Sequence, residues 1–242
     1  MAVALKIPGA SRYEQDDSQY AALLQGYRFT VCSTRRDAER ALEIRRRVYV
    51  DETGYDISVP DEYDGHSWIL LAEDAATGQA VGTMRITSRS AGPLEAEEYF
   101  RLPATLRGPR VVEISRLAIV PEHRKRQDGS PWVAFGLFKA MAAFVRQTDV
   151  QFMVVCAKPE RAATYAFLCF RPTGVKASYT KLRGAQHELL FFDLRHGFEP
   201  YDDHEMFRWF FLSQSPEVEI PTSTPRLGVH DDGERHRTAA VA

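Results

Sequence analysis

The sequence predicts an α+β domain in which helices pack against a sheet. Three observations carry that prediction. Stretches with apolar residues at three- and four-residue spacing alternate with short apolar runs of strand length. Two of those runs, 68–72 and 80–87, are joined by a turn through Thr77 and Gly78, which makes a local hairpin and so an antiparallel pair. The 242 residues are also enough for one large core with appendages.

Residues 1–26 are polar and end in an amphipathic patch around Tyr20 to Leu24, read as an N-terminal arm. Residues 27–32 form a first strand. Ser33 and Thr34 are helix N-cap candidates, and Asp37, three beyond Thr34, completes a pattern like a capping box. The helix that follows puts Ala38, Ala41, Leu42, Val48 and Tyr49 on one stripe. Arg45 falls on that stripe and must either snorkel or meet an anion inside, whereas Arg46 and Arg47 belong to a solvated face. The segment I-S-V-P-D-E-Y-D-G is an irregular loop carrying Asp61 and Asp64 three apart, a spacing that turn chemistry alone explains. After it comes the hairpin, with Arg85 on the strand face of Val81 and Thr83, and then a long loop at 88–109.

The central stretch is R-V-V-E-I-S-R-L-A-I-V-P-E-H-R-K-R, residues 110–126. In a straight strand Val111, Glu113, Ser115, Leu117 and Ile119 share one face, and Val112, Ile114, Arg116, Ala118 and Val120 the other. Glu113, Ser115 and Arg116 therefore sit where a sheet normally holds hydrocarbon. Burying such charges costs several kcal/mol unless each has a partner or a task. Either Glu113 and Arg116 form a structural ion pair, or the strand serves a site. Beyond the basic run, Pro131 opens a helix with Val133, Leu137, Ala140, Met141 and Phe144 on its buried stripe. A strand at 151–157, a helix at 160–170 stopped by Arg171-Pro172, and antiparallel strands at 178–182 and 187–194 close the sheet. The domain spans 27–195. The aromatic segment H-E-M-F-R-W-F-F-L, within 196–212, packs on it as a lid or interface helix, and 213–242 read as a disordered tail.

Composition narrows the function classes. A net charge of −2 gives no expectation of a nucleic-acid partner. The most apolar long stretch, 132–145, is too short for a bilayer and carries Lys139, so no membrane segment is expected and the cytoplasm is the default location. Three cysteines without a C-x-x-C and seven histidines without an H-x-x-x-H argue against a disulfide framework and against a metal site.

The motifs L-E-I-R-R-R-V-Y-V-D-E-T-G-Y, P-D-E-Y-D-G, V-G-T-M-R-I and V-E-I-S-R-L occur in this order. Together with the element order they resemble the GNAT N-acyltransferase fold, in its branch of acyl-homoserine-lactone synthases and long-chain N-acyl amino acid synthases, over about residues 29–194. The resemblance implies an α/β/α sandwich, its helices flanking a mixed, twisted sheet whose central strands splay apart, with the bulge responsible near Leu117 to Val120. It places Arg45, Tyr49, Tyr55, Asp61, Asp64, Arg85 and Arg116 at substrate-binding positions and Glu113 and Ser115 at catalytic ones. Leu117, Ala118, Ile119 and Val120 fall on the strand that receives the pantetheine arm, with Arg124, Lys125 and Arg126 on the donor's rim. Tyr49 and Tyr55 stand where the homoserine-lactone synthases usually carry phenylalanine and tryptophan, and so look more like the N-acyl amino acid synthases.

The chemistry so implied is transfer of a fatty acyl group from a thioester to a small amine, most simply an amino acid. Glu113 acts as the base, and Asp61 and Asp64 with Arg45 and Arg85 either fix one another or hold the acceptor. The acyl chain is expected in an apolar tunnel near Val154, Tyr165, Phe167 and Leu168. No tightly bound cofactor is implied. The donor is acyl carrier protein or acyl-CoA. The loop H-R-K-R-Q-D-G-S, with Gly129 alone, favours the carrier protein, whose arm bears one phosphate. Arg46 or Arg47 would extend a basic rim for that acidic partner. The chain is expected as a monomer or homodimer. Alternatives are homoserine-lactone synthesis from S-adenosylmethionine, CoA-dependent acetyl transfer, and a catalytically silent binding module.

Overall fold

The structure, a computed structural model, describes residues 20, 22–197 and 205–221. Its sheet has eight strands in the order β6-β7-β5-β4-β3-β2-β1-β8. In chain order these are β1 Tyr27–Val31, β2 Ser67–Asp74, β3 Ala80–Ser88, β4 Val111–Ile119, β5 Phe152–Ala157, β6 Arg171–Tyr179, β7 Ala185–Asp193 and β8 Val218–Glu219. The pairs β4/β5 and β1/β8 are parallel, and the other five are antiparallel.

Helix α1, Arg35–Arg45, packs on one face of the sheet and begins as expected, with the Thr34 side chain accepting from the Asp37 N–H. It does not continue as one regular helix. From Arg46–Glu52 the turns widen into a π-helix, which carries Tyr49 and Glu52 toward the sheet. Short α2, Ala96–Tyr99, lies inside the stretch read as a loop. Helix α3, Trp132–Val145, covers β1, β2 and β3. It approaches closely because Gly136 and Gly82 leave room: a Cβ on Gly136 would lie 2.0 Å from the Phe29 ring, and one on Gly82 2.9 Å from Val133. Helix α4, Ala162–Phe167, is shorter than expected because its entry, Pro159–Arg161, is a 3₁₀ turn.

Two further expectations are corrected. Strand β6 starts at Arg171, directly after α4, because Pro172 on this outermost strand costs no ladder bond the sheet needs. Residues read as disordered tail contribute β8, which covers the edge of β1, the Phe29 N–H donating to the Glu217 carbonyl at 2.7 Å. The expected arm at 1–26 and the rest of the tail lie largely outside the described residues. Helix α5, Glu205–Leu212, buries Phe207, Trp209, Phe210, Phe211 and Leu212 and packs on α3. No helix of the described residues is long and apolar enough to cross a membrane.

Candidate active site

Strands β4 and β5 pair only through Val111–Phe152, Val112–Met153 and Glu113–Val154. Beyond these, β4 runs on to Ile119 and β5 to Ala157 without pairing, so the sheet splits. The cause lies on the other side of β4. Thr83 pairs with Ala118 and Arg85 with Ser115, so Met84 alone opposes both Arg116 and Leu117, and Arg116 adopts φ 54°. That is a β-bulge, which bends and twists the strand that carries it. It sits earlier than the expected Leu117 to Val120, and it moves Arg116 onto the face of Glu113 and Ser115, against the alternation of a straight strand. Along an otherwise buried β4, only Ser115, Arg116 and Leu117 are half-buried.

The bulge also sorts the peptide groups. The Val120 N–H donates to the Val81 carbonyl at 3.0 Å, so alternation along the antiparallel ladder turns Leu117 and Ile119 away from β3, toward the split. Their carbonyls accept there from the Tyr49 hydroxyl at 2.7 Å and from Arg124 Nε at 3.0 Å. Ala118 and Val120, expected on the donor strand, instead point their peptide groups at β3.

A cavity of about 600 Å³ passes through the split. Tyr49, Tyr55, Glu95, Glu113, Ser115 and Arg116 line it on the face of α1, and Phe135, Phe138, Tyr165 and Leu168 on the face of α3 and α4. Two residues expected on its apolar part are elsewhere. Val154 packs into a second core cluster with Val111 and Leu189, and Phe167 is 46% exposed.

Behind the wall stands a buried ion network. Asp64 accepts from Arg45 Nη1 at 2.5 Å and from Arg85 Nη1 at 3.4 Å. Asp61 accepts from Arg85 and, at 2.9 and 3.1 Å, from the Arg116 guanidinium. Glu95 joins Arg85 and Arg116, each at 2.7 Å. Arg85 Nε also donates to Ser115 Oγ at 3.1 Å. Arg45, Asp61, Asp64 and Arg85 are therefore brought together but bind one another, and none of the four lines the cavity. Burial works against the charge on Asp64, and Arg45 and Arg85 outweigh it to hold its pKa below the ordinary value. Burial likewise works against Arg116, but Glu95 and Asp61 hold it firmly cationic.

Glu113 is the exception. Three guanidinium groups face three carboxylates in the network, which leaves this fourth acid without a matched cation. Its Oε2 accepts from the Ala96 N–H at 3.0 Å. Burial, and next the charge of Glu95, push its pKa up to about 7.

The expected basic rim is mostly neutralised. Arg124 reaches Glu52 at 2.6 Å, Arg47 pairs with Glu122 and Arg46 with Glu43, and Arg126 stacks on Tyr27 with its guanidinium 5.5 Å from the ring centre. Lys125 lines the cavity mouth and makes no ion pair among the described residues. Tyr55 stacks on Tyr49 at 6.3 Å and accepts from Lys158 Nζ at 2.9 Å. Sequence reasoning missed Lys158, Cys156, Tyr179 and His187, which line the cavity, and above all Glu95. A charge count held the signal for Glu95, since three inward arginines against Asp61 and Asp64 require a third buried carboxylate.

Solved structures of acyltransferases share this fold, a mixed sheet with flanking helices. The N-acyl amino acid synthase FeeM from uncultured soil microbes has it, with TM-score 0.57 and 16% identity over 72% of this chain and 93% of that one. So does the CoA-dependent acyl-homoserine lactone synthase BjaI, solved with SAM and isopentyl-CoA, with TM-score 0.62 and 20% identity over 84% and 97%. The AHL synthase LasI follows, with TM-score 0.52 and 18% identity over 71% and 92%. At these identities the likeness is one of fold. No match was found among curated protein sequences. The chain belongs to the FeeM N-acyl amino acid synthase family, whose model matches residues 40–193, and it is an acyltransferase.

Proposed function

We propose that this acyltransferase condenses a fatty acyl thioester of acyl carrier protein with the α-amino group of an amino acid, releasing the carrier thiol and an N-acyl amino acid. The observation that carries the reading is the cavity through the β4/β5 split with Glu113 on its wall. The thioester arm enters along the unpaired edge of β4, its acyl chain toward α3 and α4, its carbonyl toward Glu113.

An α-amino group with a pKa of about 8 is mostly protonated at neutral pH and must lose a proton to attack. A carboxyl group with a pKa of about 7 is matched to that transfer near neutrality. Glu113 relays the ammonium's first proton to solvent before attack; as the C–N bond forms it takes a second proton from the nitrogen, and as the C–S bond breaks that proton can pass to the departing sulfur. The N–H groups of Leu117 and Ile119, turned into the split, are the donors for the oxyanion. Ser115, whose oxygen accepts from Arg85, keeps its own proton for the substrate. Arg116 is the cation of the ion network that reaches the cavity, beside Glu95, and it meets the acceptor's carboxylate; Arg45, Asp61, Asp64, Arg85 and Glu95 position it. Direct transfer is favoured over an acyl-enzyme, because burial pushes the Cys156 thiol well above its ordinary pKa.

The loop before α3 supports the carrier protein as donor. Its Arg126 N–H bonds to the Ser130 carbonyl and its Gly129 N–H to the Arg126 carbonyl, both at 2.9 Å, and its Ser130 N–H to the Asp128 carboxylate at 2.8 Å. A loop whose amides are so engaged, with a carboxylate among them, offers little to a pyrophosphate. Incubating the protein with acyl carrier thioesters, acyl-CoA, an amino acid mixture and S-adenosylmethionine, with products identified by mass spectrometry, tests the reading. An N-acyl amino acid from the carrier thioester is expected. An acyl-lactone overturns the acceptor, faster turnover of acyl-CoA overturns the donor, and no turnover with any donor overturns the whole.

A further inference from the structure

Helix α5 lies outside residues 40–193, yet its aromatic side chains reach the cavity wall. We infer that α5 sets the length of acyl chain this enzyme accepts, acting through Phe135. The inference rests on the acyl-transfer reading and names the element that limits its substrate.

Phe135 lines the cavity and is held from behind. The ring of Phe210 stands edge-on to it at 5.8 Å and 86°. From Phe210 the aromatic contacts continue without a break to Phe211 at 4.7 Å, Phe192 at 5.9 Å, Phe170 at 5.7 Å and Tyr165 at 5.7 Å. Tyr165 meets Phe138 across the α3/α4 groove at 6.0 Å and 89°. This arc starts and ends on side chains that line the cavity, and α5 supplies Phe210 and Phe211, the two rings next to Phe135 in it. The Phe135 ring on the cavity wall is thus backed by Phe210 of the C-terminal helix, which the rest of the arc braces.

That support is itself anchored. Lys139, buried within α3, donates to the carbonyls of Trp209 and, at 3.0 Å, Ser213. Arg146 Nη1 donates to the carbonyls of Phe211 at 2.8 Å and Leu212 at 3.1 Å. Cations on the last carbonyls of a helix satisfy groups that would otherwise lack partners and suit the helix dipole. Phe210 is 2% exposed, so Phe135 cannot retreat into its place. Phe210 is therefore a positioning residue, and Phe135 is the side chain the acyl end meets.

The test compares wild type, Phe210→Ala and Phe210→Leu on a ladder of saturated acyl thioesters, on the carrier that supports turnover, with kcat and KM measured separately and folding followed by circular dichroism. In Phe210→Ala the kcat/KM ratio of long to short chains should rise about tenfold or more, a size typical for adding or removing methylene space in an apolar pocket. The shift should appear in KM for the longer chains, with kcat on the shortest unchanged, and be smaller in Phe210→Leu. An unchanged length profile in a folded variant overturns the inference, and so does an equal loss at every length, the mark of a merely structural role. If Phe210→Ala does not fold, the Phe210→Leu profile decides on the same criteria. Absence of turnover by wild type with every donor overturns instead the acyl-transfer reading beneath it.

Discussion

Arg85 and Arg124 each reach a glutamate across the fold, Glu95 at 2.7 Å and Glu52 at 2.6 Å, and both stand beside the same strand pair. Yet the Arg85 side chain is 0% exposed and that of Arg124 41%. In the first case water is excluded, the charges interact strongly, and removing either leaves its partner stranded. In the second, solvent and salt screen the pair. Distance alone does not distinguish a framework pair from a surface one; burial does. The same contrast separates Glu95, held by two guanidinium groups, from its neighbour Glu113, held by one backbone N–H. The network is neutral without Glu113, which leaves Glu113 free to exchange a proton.

Three measurements can break or sharpen this contrast. The largest effect is expected for Arg85→Met, which leaves the three buried carboxylates Asp61, Asp64 and Glu95 with only Arg45 and Arg116 and should cost about 3–5 kcal/mol in chemical denaturation. A loss as small as that of a surface substitution would show that solvent reaches the network. Next, Glu113→Gln should lower turnover at least about tenfold. In the wild type the rate should rise with pH through about 7, as Glu113 ionises, and this limb should vanish in the variant. Stability should move the other way. Folding raises the Glu113 pKa from 4.5 to about 7, so its contribution is fully present below pH 4.5 and is lost as pH rises through 7. At pH 8 the variant should therefore be as stable as wild type or more so, by up to about 3 kcal/mol, and at pH 4 it should show no gain. Equal rates at all pH values would remove Glu113 from the role of base. The smallest effect belongs to the rim. Arg124→Ala and Lys125→Ala should leave denaturation curves nearly unchanged and raise KM for a carrier-protein donor a few-fold at low salt, a difference that added salt erases.

Much of the site was legible in the chain. Arg45 stood out because helical periodicity put a guanidinium on an apolar stripe, and it is 1% exposed against Asp64. Glu113 and Ser115 stood out because a strand of valine and isoleucine has no other use for them. Asp61 and Asp64 were visible only as turn residues, and their order with the other motifs gave them weight. Glu95 was hidden between ordinary signals, since nothing local distinguishes it from Glu97 and Glu98, and its burial depends on where α2 docks. Strand β8 was illegible for a similar reason. Two residues in a polar segment form a strand only because the edge of β1 is there to pair with.

The sequence by itself determined the succession of strands and helices and the kinds of charge that had to be buried, because periodicity and hydropathy are local properties. Only the tertiary structure decided which face Arg116 occupies and where the sheet opens. A bulge is one extra residue on one strand counted against its neighbour, a quantity that exists only once two distant segments are paired. It likewise decided that Glu113 is the unmatched acid, for a carboxyl group's proton affinity depends on every charge and dipole that the fold brings around it.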